Sequence, residues 1–134
     1  MGLYKNVSAV TFGSTAIDTV GSIDISESGQ SIDHSADTDE YLTYIDVVKK
    51  VVEVTISTDD LKDALDTFAI GTAGTISFKV ENAEAATPDL TVAVTNARLE
   101  SMSGSPKHAD VNSGGSLKFR AYSADGTTSP MSIT

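Results

Sequence analysis

The chain has 134 residues, which suits one domain able to bury its own core, and it contains no cysteine, which excludes disulfides, thiolate metal sites and a cysteine nucleophile. Asp and Glu number 19 against 9 Lys and Arg, a net charge of −10, so tight charge-driven binding of nucleic acid is not expected. Tryptophan is absent, no apolar run reaches the length of a membrane span, and Met1 to Val10 lacks the apolar core of a secretory leader.

Val7 to Phe12 reads as a short strand with Val10 and Phe12 inward, ended by a Gly13-Ser14 turn. Thr15 to Ser26 continues as a strand with Ile17, Ile23 and Ile25 on one parity, and Gly21 marks a bulge or a close backbone approach. Glu27 to Glu40 has almost no apolar content and is rich in Ser and Asp. It is expected to be a long exposed loop and a contact surface.

Tyr41 to Ser57 follows as one long strand with apolar residues at both parities. Leu42, Tyr44, Val48, Val52, Val54 and Ile56 are even, whereas Tyr41, Ile45, Val47 and Val51 are odd. Side chains alternate faces along a strand, so one wet face demands alternation. Val52 to Ser57 obeys that rule and the first half breaks it. Either neighbouring subunits cover the second face, or a bulge near Lys49-Lys50 switches the phase.

A helix is expected over about residues 58–70, with Ser57 or Thr58 capping its first turn and Leu61, Ala64, Leu65 and Phe68 forming its apolar stripe. Gly74 to Asn82 alternates with Ile76, Phe78 and Val80 inward. A loop over Ala83 to Asp89 precedes a strand from Leu90 to Met102 whose phase slips near Asn96. A polar loop over Ser103 to Gly115 leads to a strand from Ser116 to Ala124 with Leu117 and Phe119 inward. Asp125-Gly126 is a turn, and Met131 and Ile133 add a short edge strand. The expected fold is mainly β: an antiparallel β-sandwich or half-barrel with one flanking helix.

Catalytic signatures are missing. His34 and His108 are the only histidines and show no metal-ligand spacing. No Gly-x-Ser-x-Gly turn or phosphate-cradling glycine loop occurs. Asp33 to Glu40 gathers four carboxylates around His34, but it lacks the glycine and distal glutamate of a calcium loop. A solvated loop or subunit contact is expected there, with no metal, no cofactor and no enzymatic activity.

The strand–helix step from Val51 to Leu65, the polar stretch before the long strand and the ending from Ser116 to Pro130 together resemble the tail tube proteins of long-tailed bacteriophages. Type VI secretion tubes are related in plan. The resemblance implies a single tail-tube-like domain over residues 1–134 and a structural virion protein. In that family six copies form a ring, and stacked rings make a hollow conduit for DNA delivery. Partners would be further copies of the chain, a tape-measure protein, and sheath, baseplate or terminator proteins. DNA would pass through the lumen without specific binding. The location would be the virion tail, or the host cytoplasm during assembly. Six copies would carry about −60, which would let DNA slide if much of that charge lines the channel. Subunit or ring contacts are expected at Ser31, Asp33, His34, Asp37, Asp39, Glu40, Ile45, Val47 and Val51. The competing readings are another phage tail or head–tail structural protein, and a small acidic β-sandwich binding module.

Overall fold

In the computed structural model, which describes residues 4–83, 88–106, 108 and 114–134, the chain forms one antiparallel sheet. Its strands are β1 Tyr4–Phe12, β2 Thr15–Ala16, β3 Val20–His34, β4 Tyr44–Thr58, β5 Ala73–Asn82, β6 Leu90–Gly104, β7 Gly115–Ala121 and β8 Met131–Ile133. The spatial order is β2-β1-β5-β6-β7-β4-β3. β8 pairs with β6 across Val92 to Val94, end to end with β7, which takes over from Ala97.

One face of the sheet carries the core. Val52, Val54 and Ile56 of β4 meet Leu117 and Phe119 of β7, Leu99 and Val94 of β6, and Ile76 and Phe78 of β5. Strict alternation puts these side chains on one side and polar residues on the other. The sheet curls: β1 and β7 would stand about 14 Å apart if three strand spacings lay flat. Instead the Phe12 and Phe119 ring centroids are 4.7 Å apart. On the outer face Arg120 stands between Glu53 and Glu100, at 3.5 and 3.9 Å. All three side chains are substantially exposed, so the pairs contribute little to stability.

Bulges set the phase of four strands. Gly21 is the extra residue of β3, and Ala9, Lys49 and Asn96 take left-handed backbone angles (φ 53°, 54° and 55°) at the register shifts of β1, β4 and β6. The slips expected at Gly21, Lys49-Lys50 and Asn96 therefore sit where the parity changes. The edge strand through Met131 and Ile133 is also present.

Two expectations are corrected. The three-turn flanking helix is replaced by a single turn, α1 Leu61–Leu65. Asp60 caps it by accepting from the Lys62 N–H at 3.0 Å, while Thr58 accepts from the Asp60 N–H at 3.1 Å. The turn ends where the Thr67 N–H and hydroxyl both donate to the Lys62 carbonyl. Asp66 and Thr67 are poor helix formers, and a carboxylate at a helix C-terminus opposes the dipole. Ala64 is buried and Phe68 packs edge-on to Phe12, but Leu65 is 44% exposed, so the expected stripe is not one buried face. The Leu61 side chain lies outside the described residues, as do residues 84–87, 107 and 109–113 of the two expected loops.

The second correction concerns Glu27 to Glu40. It is not a long loop: β3 runs unbroken to His34, and only residues 35–43 form the connection. Each residue from Ser28 to His34, apart from Gly29 at the bulge, finds a register partner in β4. Its polar composition reflects a strand with both faces wet, which shows no alternation to read.

Candidate assembly surface

β4 has two halves. From Val52 to Thr58 it lies between β3 and β7. From Tyr44 to Val51 its only register partner among the described residues is β3. Residues 28–34 and 44–51 thus form a two-stranded arm about 25 Å long, at roughly 3.3 Å per residue, beyond the body of the sheet. The Val, Ile and Tyr content of β4 favours the strand. The turn is closed locally. The Asp39 N–H donates to the Ala36 carbonyl at 3.0 Å, and the Ala36 N–H donates to Asp39 Oδ2 at 3.1 Å. The Thr43 N–H and hydroxyl both donate to the His34 carbonyl, at 2.8 and 3.1 Å.

The bulge decides which arm residues share a face. Ser28 pairs with Val51 and Gln30 with Val48, so Gly29 alone faces Lys49 and Lys50. A Cβ at Gly29 would meet Val47 Cγ1 at 2.5 Å, so any other residue there would require the Val47 side chain to move. Ile45 and Val47, with their partners Asp33 and Ser31, continue the core side of the sheet. Tyr44, Val48 and Val51 lie on the opposite side, with His34, Gln30 and Ser28. The sequence grouping of Val51 with Ile45 and Val47 is therefore corrected: the extra residue moves Val51 across.

Nearly all of this surface is wet. Ser31, Asp33, His34, Asp37, Asp39, Glu40 and Ile45 are exposed, Val47 is 44% exposed, and Val51 is half-buried. His34 and Tyr44 stack loosely, with ring centroids 5.6 Å apart. The structure brings together Ser31 with Val47, Asp33 with Ile45 and His34 with Tyr44, and places Asp37, Asp39 and Glu40 in the tip.

Further large apolar residues outside the expected contact set are exposed. Tyr41 at 83% exposure and Leu42 at 50% sit at the tip, and Ile32 is exposed on the arm. Of the two readings of the two-sided apolar strand, the bulge is present. A bulge switches its phase, and the arm still leaves apolar side chains open on each face.

At the root of the arm lies an open groove of about 500 Å³. Its floor is Val52 and Ala121, one wall carries Val47, Lys49 and Lys50, and the loop 123–130 forms the other. That loop is held by Asp125. Its carboxylate accepts from the Thr128 and Thr127 N–H groups and from the Thr128 and Ser123 hydroxyls, at 2.8 to 2.9 Å. These bonds, the Thr128 N–H first, hold the Asp125 carboxyl far below the usual carboxylate range. Gly126 supplies the positive φ of the turn, at 80°.

Among the described residues, no group of three or more His, Asp or Glu side chains gathers at metal-binding range. No described helix is long and apolar enough to cross a membrane. No protein-family model matches the chain, and no curated protein matches it.

Proposed function

We propose that the protein is a structural subunit that assembles with copies of itself, as a tail-tube-like building block of stacked rings around a hollow conduit. The observation that carries this reading is the arm. A two-stranded ribbon is at best marginally stable alone in water. This one extends from the body with Ile32, Tyr41, Leu42, Tyr44, Ile45 and Val47 exposed. So many large apolar side chains left open on the two faces of one arm support an interaction site.

Sheet edges support the same reading. β3 has no partner on its outer side among the described residues, and β1 meets β2 only at Thr11 and Phe12. Unpaired edges invite further strands, and a closed ring satisfies them without open-ended aggregation. On this reading each curled sheet supplies a half-barrel sector of a ring. Copies at −10 each repel, so their contacts must be apolar or charge-paired. The conduit would carry DNA past an acidic wall, with a tape-measure protein inside the tube before delivery.

Negative-stain electron microscopy of the purified protein tests the class. Rings or hollow filaments of uniform diameter are expected. A single 134-residue particle at every concentration contradicts the proposal.

A further inference from the structure

The two ends of the arm differ in charge. The tip holds Asp37, Asp39 and Glu40 beside the exposed Tyr41 and Leu42. The root groove holds Lys49 and Lys50, which make no ion pair among the described residues. Glu27 is the one carboxylate lining that groove. Among the groove's lining residues two lysines stand against one glutamate, and the Asp125 carboxylate of the loop wall is taken up by four hydrogen bonds within its own loop. Its apolar portion is Val47, Val52, Ala121 and Pro130.

Tip and groove therefore match in both respects: carboxylates against ammonium groups, and Tyr41 and Leu42 against apolar walls. They cannot meet within one molecule. The paired ladder from Tyr44 to Val51 holds the tip about 25 Å from its own root. A match between distant patches on one surface is a head-to-tail contact, which closes into rings or propagates as filaments.

We infer that the hairpin tip of one molecule, Asp37 to Leu42, seats in the root groove of a second copy, with its carboxylates against Lys49 and Lys50. This rests on the self-assembly reading and names the contact that builds it. Strand geometry fixes the direction, since every molecule offers one tip and one groove. Attraction between opposite charges offsets part of the repulsion between acidic copies, and it weakens as salt shortens the Debye length.

Two charge-reversed variants of the full chain test this by sedimentation velocity. The groove variant is Lys49→Glu with Lys50→Glu; the tip variant is Asp37→Lys with Glu40→Lys, which spares the Asp39 carboxylate that closes the turn. Each alone is expected to remain monomeric with an unchanged circular dichroism spectrum. An equimolar mixture is expected to assemble, because each tip then faces a groove of opposite sign. The control Lys62→Glu with Lys79→Glu makes the same charge change elsewhere and should assemble like the wild type. If both reversed variants assemble alone as the wild type does, tip and groove do not meet, and the self-assembly reading survives. A mixture that stays monomeric overturns the contact in the same way. A wild type that never assembles removes the self-assembly reading itself, and the contact with it.

Discussion

The inner and outer halves of the β3–β4 hairpin are built from the same two strands yet solve different problems. In the inner half, Val52 is 1% exposed, and Val54 and Ile56 are equally enclosed by β7, β6 and β5. In the outer half, Val47 and Ile45 follow the same side of the sheet, and among the described residues no strand besides β3 pairs with them. The change falls at one residue, Lys49, whose left-handed backbone ends one alternation and begins another. On the proposed reading, one long strand serves two cores, its own and one that a neighbouring copy would complete.

The largest contrast between the halves should come from core truncation. Phe119→Ala removes a fully buried ring in contact with Phe12 and should cost about 3–5 kcal/mol in urea unfolding. Val47→Asp should leave monomer stability within about 0.5 kcal/mol, because the side chain already meets water. The same substitution should weaken assembly at least tenfold, about 1.4 kcal/mol, read by sedimentation. A monomer that unfolds on Val47→Asp would place that valine in the private core and erase the distinction.

Backbone strain offers a finer comparison. Ala9→Gly relieves a left-handed residue within the body and should raise global stability by about 1 kcal/mol. Lys49→Gly relieves a similar angle at the arm root. It should barely move global unfolding, because the arm opens locally before the body does. Equal gains at both sites would mean that arm and body unfold as one unit.

The smallest effect is expected in the loop facing the arm. Asp125→Ala removes the acceptor of four hydrogen bonds and should lower Tm slightly at neutral pH. The folded carboxyl sits below its unfolded value of about 3.9, so its contribution is full above that pH. It is lost as pH falls toward the folded value, and the Tm gap between wild type and variant should narrow only below about pH 4.

Much of the body was legible because burial leaves a periodic trace. Ile76 and Phe78, Leu117 and Phe119, and Val52 to Ile56 alternate as one-sided strands, and the slips at Gly21, Lys49 and Asn96 mark real bulges. The arm was half legible. Ile45 and Val47 stood out as apolar residues without a place, but Ser28 to His34 looked like a loop. A strand wet on both faces is paired through its backbone alone, and backbone pairing leaves no mark on composition. The helix was overread because Leu61, Ala64, Leu65 and Phe68 fit a helical stripe. Ala64 and Phe68 reach the core from a single turn and the coil after it, and Leu65 faces outward. The groove could not be read at all, since it joins Lys49 and Lys50 to a loop more than seventy residues away in sequence.

Hydrogen exchange followed across a dilution series tests the central claim most directly, that the arm depends on a neighbour and the body does not. At concentrations where assemblies form, amides of residues 28–34 and 44–51 should be protected. On dilution to monomer they should exchange freely while those of 52–58 and 90–104 stay protected. Arm amides equally protected in the dilute monomer would show that the hairpin is held by its own molecule, and would contradict the account.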